Sequence, residues 1–442
     1  MVAMSDIPAL FSAFDPSRPL EADDDLLYVD WQHQLEPDGS DAKSRLSREF
    51  VRFATPERPI ARLLTGHKGS GKTTELYRVR SQLQRGDRGS KVFVSTLSAD
   101  RWLDIEDVEP EDLVLQIVRQ LVADLKAAGL SLAEQEFKSR LASLWDRVKG
   151  IRLETVEVGI DPLAFSFALK DFPTARDEFR GLLRGQLPNV FDFVNRQLLP
   201  AARDFVREQH GCRDILLIVD DLDKIPQKAL PDRRVTNHES LFLEHAATLR
   251  AIRASMLLTI PIELAYSPAQ GRLRDDYGAS IASVPLITLA DRAGNRIQKG
   301  EQALCEILGR RARQGFGDDE ADATASARRL FAQPELLGRV VRLSGGHVRS
   351  LLVIMTALLG RVDELPIGST TLDSCIREET RGLAKGLFPA DREVLRQVKE
   401  TQQSQEDVRF FDLLRNLYVF SYEAGADEDW YGLNPLLHGI AL

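Results

Sequence analysis

Cysteine is scarce in this chain of 442 residues: only Cys212, Cys305 and Cys375, far apart. That spacing fits neither a disulfide framework nor the closely paired ligands of a zinc site, and a reducing, cytoplasmic setting is expected. Positive charge is also short. Lys plus Arg total 58 against 67 for Asp plus Glu, a net charge of −9, so no global basic field draws the chain onto nucleic acid or an anionic membrane. The apolar stretch Leu351 to Leu359 runs for nine residues, well under the roughly 20 that cross a bilayer, and reads as a buried helix. Met1 to Pro8 carries no Lys or Arg ahead of its first apolar residues, so a secretory leader is not expected. What remains is 43% hydrophobic sequence, enough for several cores at about 150 residues per domain. A soluble, multi-domain enzyme or switch is expected.

Residues 1–43 mix Pro, Ser and the acidic run Glu21 to Asp25, a composition that predicts a loose N-terminal arm. Within it, Leu26 to Trp31 is an apolar exception that packs onto a domain surface or meets a ligand. From residue 44, strand and helix signals alternate. Ile60 to Leu64 reads as a strand, and Leu76, Val79 and Leu83 follow at helical spacing. Lys91 to Ser95 is a second strand, and Leu113, Ile117, Leu121 and Leu125 mark one helix face. Ile215 to Val219 has the continuous apolar character of a strand buried on both faces. Met256 to Ile260 and Ala282 to Leu289 complete the strands. The pattern predicts an α/β core with a parallel sheet flanked by helices over 44–292.

An insertion over about 126–210 interrupts this core, with a β-hairpin expected where Val156 to Ile160 and Phe165 to Leu169 alternate around Asp161 and Pro162. Strand signals stop near 295, so 293–365 reads as a helical lid. Over 366–442, two helical stretches precede Tyr418 to Tyr422 and a turn reaching Trp430 to Leu433, the order of a winged helix.

The residues that carry chemistry begin with Gly66, His67, Lys68, Gly69, Ser70, Gly71, Lys72 and Thr73. They match G-x-x-x-x-G-K-[ST] at every fixed position, between a predicted strand and a predicted helix. Glycines at 66, 69 and 71 let successive backbone N–H groups face phosphates, and the following helix adds the positive end of its dipole, with Thr74 in its first turn. Lys72 is placed to reach β and γ phosphates. Thr73 supplies a hydroxyl for Mg2+.

The buried strand Ile215 to Val219 ends in two acids. Asp220 is a second magnesium group, through water, and Asp221 is a candidate for orienting or deprotonating the attacking water. Thr259, near the end of another strand, either orients that water or is a satisfied strand threonine. Arg349, after Ser344 to Val348, either senses the nucleotide's charge or lies on the surface. His67 and His347 have no Cys or His nearby in sequence, so loop packing is expected of them rather than metal binding.

Taken in order, the 66–73 loop, the strand ending at Asp221, Thr259, the Gly-Gly-x-x-Arg sequence at 345–349 and a winged helix resemble the AAA+ and STAND P-loop ATPases. Origin-recognition-like ATPases and bacterial defence-operon ATPases are the most similar groups. The resemblance covers about 45–442. It implies ATP with Mg2+ bound between the sheet domain and the lid, and Walker A, Walker B, sensor 1 and sensor 2 roles for these residues. It further implies oligomers in which a neighbour's arginine completes the site, with Arg272 and Arg274 as the positions concerned. Asp221 stands where many AAA+ proteins carry Glu, and its shorter side chain implies slow hydrolysis.

Three functions follow. The first is an ATP-driven switch that controls self-assembly or the binding of a protein partner through the C-terminal domain or the insertion. The second is a DNA-associated initiator or loader, which needs basic residues on the wing. From Glu406 to Leu442 there are two basic residues, Arg409 and Arg415, against seven acidic ones. Local charge therefore does not support nucleic-acid binding there. The third is a nucleotide-holding scaffold without turnover. No membrane association is expected.

Overall fold

The computed structural model describes residues 6–32, 41–87, 89–130, 173–230, 235–318, 321–405, 407–423 and 429–440. They form two compact units that do not follow the chain linearly. One comprises Leu46–Thr65 and Val79–Ala282; the other comprises Met1–Arg45, Gly66–Arg78 and Ser283–Leu442.

The first unit is built on a parallel sheet of β1 (Ala61–Thr65), β2 (Phe93–Ser98), β3 (Ile215–Asp220), β4 (Ser255–Thr259) and, at its edge, the two-residue β5 (Ala282–Ser283), in the order β2-β3-β4-β1-β5. All six residues of β3 and all five of β4 are buried. That explains their unbroken apolar sequence: a central parallel strand has no solvent face on which to place polar residues. Leu113, Ile117, Leu121 and Leu125 of the helix Pro110–Ala127 join Leu217, Val219, Met256 and Leu258 in one core. Each such side chain contributes roughly 1.5–3 kcal/mol by burial. Parallel pairing aligns Ser98 with Asp220, Val219 with Leu258 and Leu64 with Thr259, so the polar strand ends lie side by side.

The expected strand Ala282 to Leu289 is reduced to Ala282–Ser283. Pro285 has no N–H to give a ladder, and the segment beyond it continues as irregular backbone with Ile287 N donating to Gly346 O at 3.1 Å. Of the inserted region, residues 173–210 are helical, over Pro173–Phe193 and Leu199–His210. Arg180 ties them to the sheet unit through Asp112 at 2.6 Å and Asp107 at 2.9 Å. The expected hairpin at 156–169 lies outside the described residues.

The second unit is largely helical. Helices Gln298–Phe316, Pro334–Leu343 and Val348–Leu359 enclose a core that includes Leu304, Leu308, Val340, Leu351 and Met355. The N-terminal segment does not behave as a loose arm. Leu10 of helix Asp6–Ala13 and Phe14 just after it are completely buried in that core, which also holds Val29 and Trp31. Gly315 admits this contact, since a Cβ there would lie 2.5 Å from Leu10. Farther on, helices Pro389–Thr401 and Val408–Arg415 lead into the antiparallel hairpin β6 (Val419–Tyr422) and β7 (Trp430–Leu433), the expected winged-helix order. Among the described residues no helix is long and apolar enough to cross a membrane.

Candidate phosphate-binding site

The chain leaves β1 at Thr65 and enters the glycine loop directly. Gly66, Gly69 and Gly71 take φ of 145°, 93° and 104°, values that L side chains avoid and glycine accepts. Two of these positions are also crowded. A Cβ on Gly66 would lie 2.6 Å from Val284 O, and one on Gly69 would lie 2.7 Å from the Arg349 Cβ. Gly71 O accepts from Glu75 N at 3.0 Å and opens the helix Lys72–Gln84, whose first amides have no intrahelical acceptor.

Lys72 is buried and donates to Gly66 O at 2.8 Å and His67 O at 2.9 Å. Inside the loop, Ser70 Oγ is buried without a hydrogen-bond partner. An orphan hydroxyl, a helix N-terminus and a lysine that donates to backbone carbonyls fit a phosphate chain. The hydroxyl of Thr73 and the carboxylate of Asp220 are hard oxygen donors of the kind magnesium takes.

Contacts from distant parts of the same unit fix the loop's shape. Ser421 N, on β6, donates to His67 Nε2 at 2.9 Å, and His347 Nε2 pairs with Lys68 O at 2.9 Å. His347 Nδ1 accepts from Ser350 N at the start of its helix, which leaves the proton on Nε2 to donate to Lys68 O. Burial holds His347 neutral, its pKa down at about 3, and drives His67 well below its usual value. Phe420 lies between the two rings, 5.7 Å from His67 and 5.9 Å from His347. The loop-packing expectation for both histidines therefore describes them.

Arg349 sits with its side chain against Gly69 and donates from Nε to Pro16 O at 3.2 Å. Thr74 Oγ1 accepts from Leu20 N at 3.1 Å, and Lys68 is exposed. Beyond the loop, Lys43 is buried beside Asp30, at 2.7 Å, and Tyr28, at 2.9 Å. Tyr28 donates to Glu75, whose carboxyl is raised to about 7 by burial.

In the sheet unit, the acids at the end of β3 have their own surroundings. Asp220 is buried, and its Oδ1 accepts from Asp221 N at 2.8 Å. Asp221 adopts φ of 68°, a left-handed conformation that costs a non-glycine residue about 1 kcal/mol or more. Both of its oxygens are engaged: Oδ2 accepts from Ser98 Oγ at 2.6 Å and Oδ1 pairs with Lys224 Nζ at 2.9 Å. Lys224 also reaches Asp100 at 2.6 Å.

Thr259 is buried, and its Oγ1 accepts from Leu222 N at 3.1 Å, so its hydroxyl shapes the turn after Asp221. Arg272 and Arg274 are exposed on the helix Gln270–Tyr277. Ser98, Lys224 and Ser421 lie outside the sequence motifs. Lys224 could have been found, being three residues after Asp221, whereas Ser421 is 354 residues from His67 and carries no local signal.

No family model and no curated protein matches the sequence. Solved structures similar to it include a Walker-type ATPase of Pyrococcus abyssi, at 13% identity and TM-score 0.41 over 96% of this chain and 98% of that one. Drosophila ORC bound to DNA is 12% identical with TM-score 0.40, over 97% and 89% of the two chains. Cdc6p from Pyrobaculum aerophilum is 13% identical with TM-score 0.37, over 96% and 94%. Likeness at this level assigns no function, and the chemistry has to come from the residues above.

Proposed function

We propose that this chain is a Mg-dependent ATP-binding and hydrolysing switch of the AAA+/STAND kind, whose nucleotide state controls its assembly or the binding of a protein partner. The glycine loop at 66–73 carries this reading, with its orphan Ser70 hydroxyl and buried Lys72. ATP supplies the activated phosphoryl group. Loop amides and Ser70 donate to phosphate oxygens, and Lys72 exchanges the carbonyls of Gly66 and His67 for them. Thr73 and Asp220 provide oxygen donors for magnesium, and Arg349 stabilises phosphate charge. Asp221 takes the proton of the attacking water once Lys224 lets it go. The resemblance of the motifs adds a cytoplasmic bacterial defence setting and a partner's Arg272 or Arg274 reaching the site.

Calorimetry with Mg·ATP tests the reading. Wild-type protein should bind, and Lys72→Ala should lose about 100-fold or more in affinity through the lost charge-assisted contacts. Equal binding by both would overturn it. The engagement of both Asp221 oxygens favours a second reading, a nucleotide-bound scaffold without turnover. Phosphate release from saturated wild-type protein separates the two.

A further inference from the structure

Arg311, on the helix Gln298–Phe316, is 5% exposed. Among the described residues it has no hydrogen bond or ion pair, whereas its neighbour Arg310 donates to the carbonyls of Asp25 and Tyr28 and pairs with Glu306. Burial is the largest influence on Arg311 and lowers its pKa to about 10; Arg18 lowers it further and Asp24 opposes. Asp24 is already held by Arg18 through both carboxylate oxygens, at 2.9 and 3.0 Å. Arg311 is therefore a largely buried side chain whose charged end keeps the remaining exposure, and the two charged groups that act on it, Arg18 and Asp24, already neutralise each other. A cation in a mostly buried side chain with no protein partner is only partly solvated, and an anionic ligand that reaches its open end supplies the missing counter-charge.

The position of Arg18 indicates what that counter-charge is. Two residues before it, Pro16 O accepts from Arg349, which lies on Gly69; two residues after it, Leu20 N donates to Thr74. A chain spans at most about 3.6 Å per residue, so the Pro16–Leu20 segment is fixed across the phosphate loop and Arg18 cannot lie far from it. We infer that Arg311 is an anion-binding residue that takes a phosphate group of a nucleotide, with Arg18 flanking it. This rests on the nucleotide reading of the loop and adds to it a phosphate ligand from a helix that carries none of the recognised motifs.

The signature of such a residue is a trade between stability and binding. Arg311→Met keeps an unbranched apolar stem and removes the charged guanidinium. Its ligand-free unfolding midpoint should equal or exceed that of wild type, while its affinity for Mg·ATP falls roughly 10- to 100-fold, the range of a lost charged hydrogen bond. Arg311→Lys should fall between. A lowered ligand-free midpoint with unchanged Mg·ATP affinity would make Arg311 a structural residue and overturn the inference. Inorganic pyrophosphate is the second probe. If wild type fails to bind Mg·ATP yet is stabilised by pyrophosphate, and Arg311→Met is not, the anion site stands without the nucleotide reading. If neither ligand shifts the wild-type midpoint, both fall.

Discussion

Lys72 and Asp221 are both charged groups held by neighbours, and the neighbours differ in kind. Among the contacts of Lys72 are two backbone carbonyls, dipoles that a phosphate oxygen can replace with gain. Asp221 faces the full charge of Lys224 and the hydroxyl of Ser98, and releasing it means separating an ion pair that Asp100 also holds in place. On the proposed function, the loop takes up nucleotide readily while the restrained acid makes turnover slow.

The sharpest way to break this contrast is at the acid. Asp221→Asn should retain Mg·ATP and lose roughly 100-fold in phosphate release, the low end of a lost general base. Lys224→Ala should raise phosphate release by up to about tenfold at unchanged ATP affinity, because it frees the carboxylate. Release by Asp221→Asn at the wild-type rate would place the base elsewhere.

The loop side is tested through its external supports. His67→Ala leaves the amide of Ser421 buried without an acceptor, at a cost of about 1–3 kcal/mol, read as a lower midpoint in chemical denaturation. His67→Asn, which restores an acceptor, should recover part of it. An unchanged midpoint for His67→Ala would mean the hairpin does not support the loop.

Acid sharpens the same comparison. The folded chain holds His347 at about 3 from an ordinary 6.5, so unfolded chains bind a proton that folded ones refuse. Its contribution is complete above about 6.5 and is lost as pH falls toward 3. Glu75, raised to about 7, acts in the opposite sense, contributing below its ordinary pKa of 4.5 and losing that contribution between 4.5 and 7. Unfolding midpoints between pH 4 and 8 should show His347→Asn less acid-sensitive than wild type, and Glu75→Gln flatter toward neutral pH. Parallel curves for all three would remove both groups from the ledger. The smallest expected effect concerns Arg272 and Arg274. Their joint replacement by Ala should leave Mg·ATP binding by the isolated chain unchanged and lower phosphate release several-fold only at concentrations where solution mass shows a larger, ATP-dependent species.

Much of this molecule was legible from local pattern. The loop's glycines, Lys72 and Thr73 answer to backbone rules that act over a few residues, and the burial of β3 and β4 follows from their unbroken apolar runs. The helical reading of Val348–Leu359 holds for the same reason. Composition misled at the N-terminus, where Leu10 and Phe14 are spaced about one helical turn apart and bury completely. It misled also at Ala282 to Leu289, where apolar character outweighed the missing N–H of Pro285.

The sequence by itself determined where the glycine loop would turn and which strands would be central, because both depend on short-range sterics and periodicity. Only the tertiary structure decided that Ser421 holds His67, that Lys224 restrains Asp221, and that Arg311 is mostly buried with no hydrogen bond or ion pair among the described residues. Those are properties of packing between residues distant in the chain, and burial is what gives a charge or an unpaired amide its energetic weight.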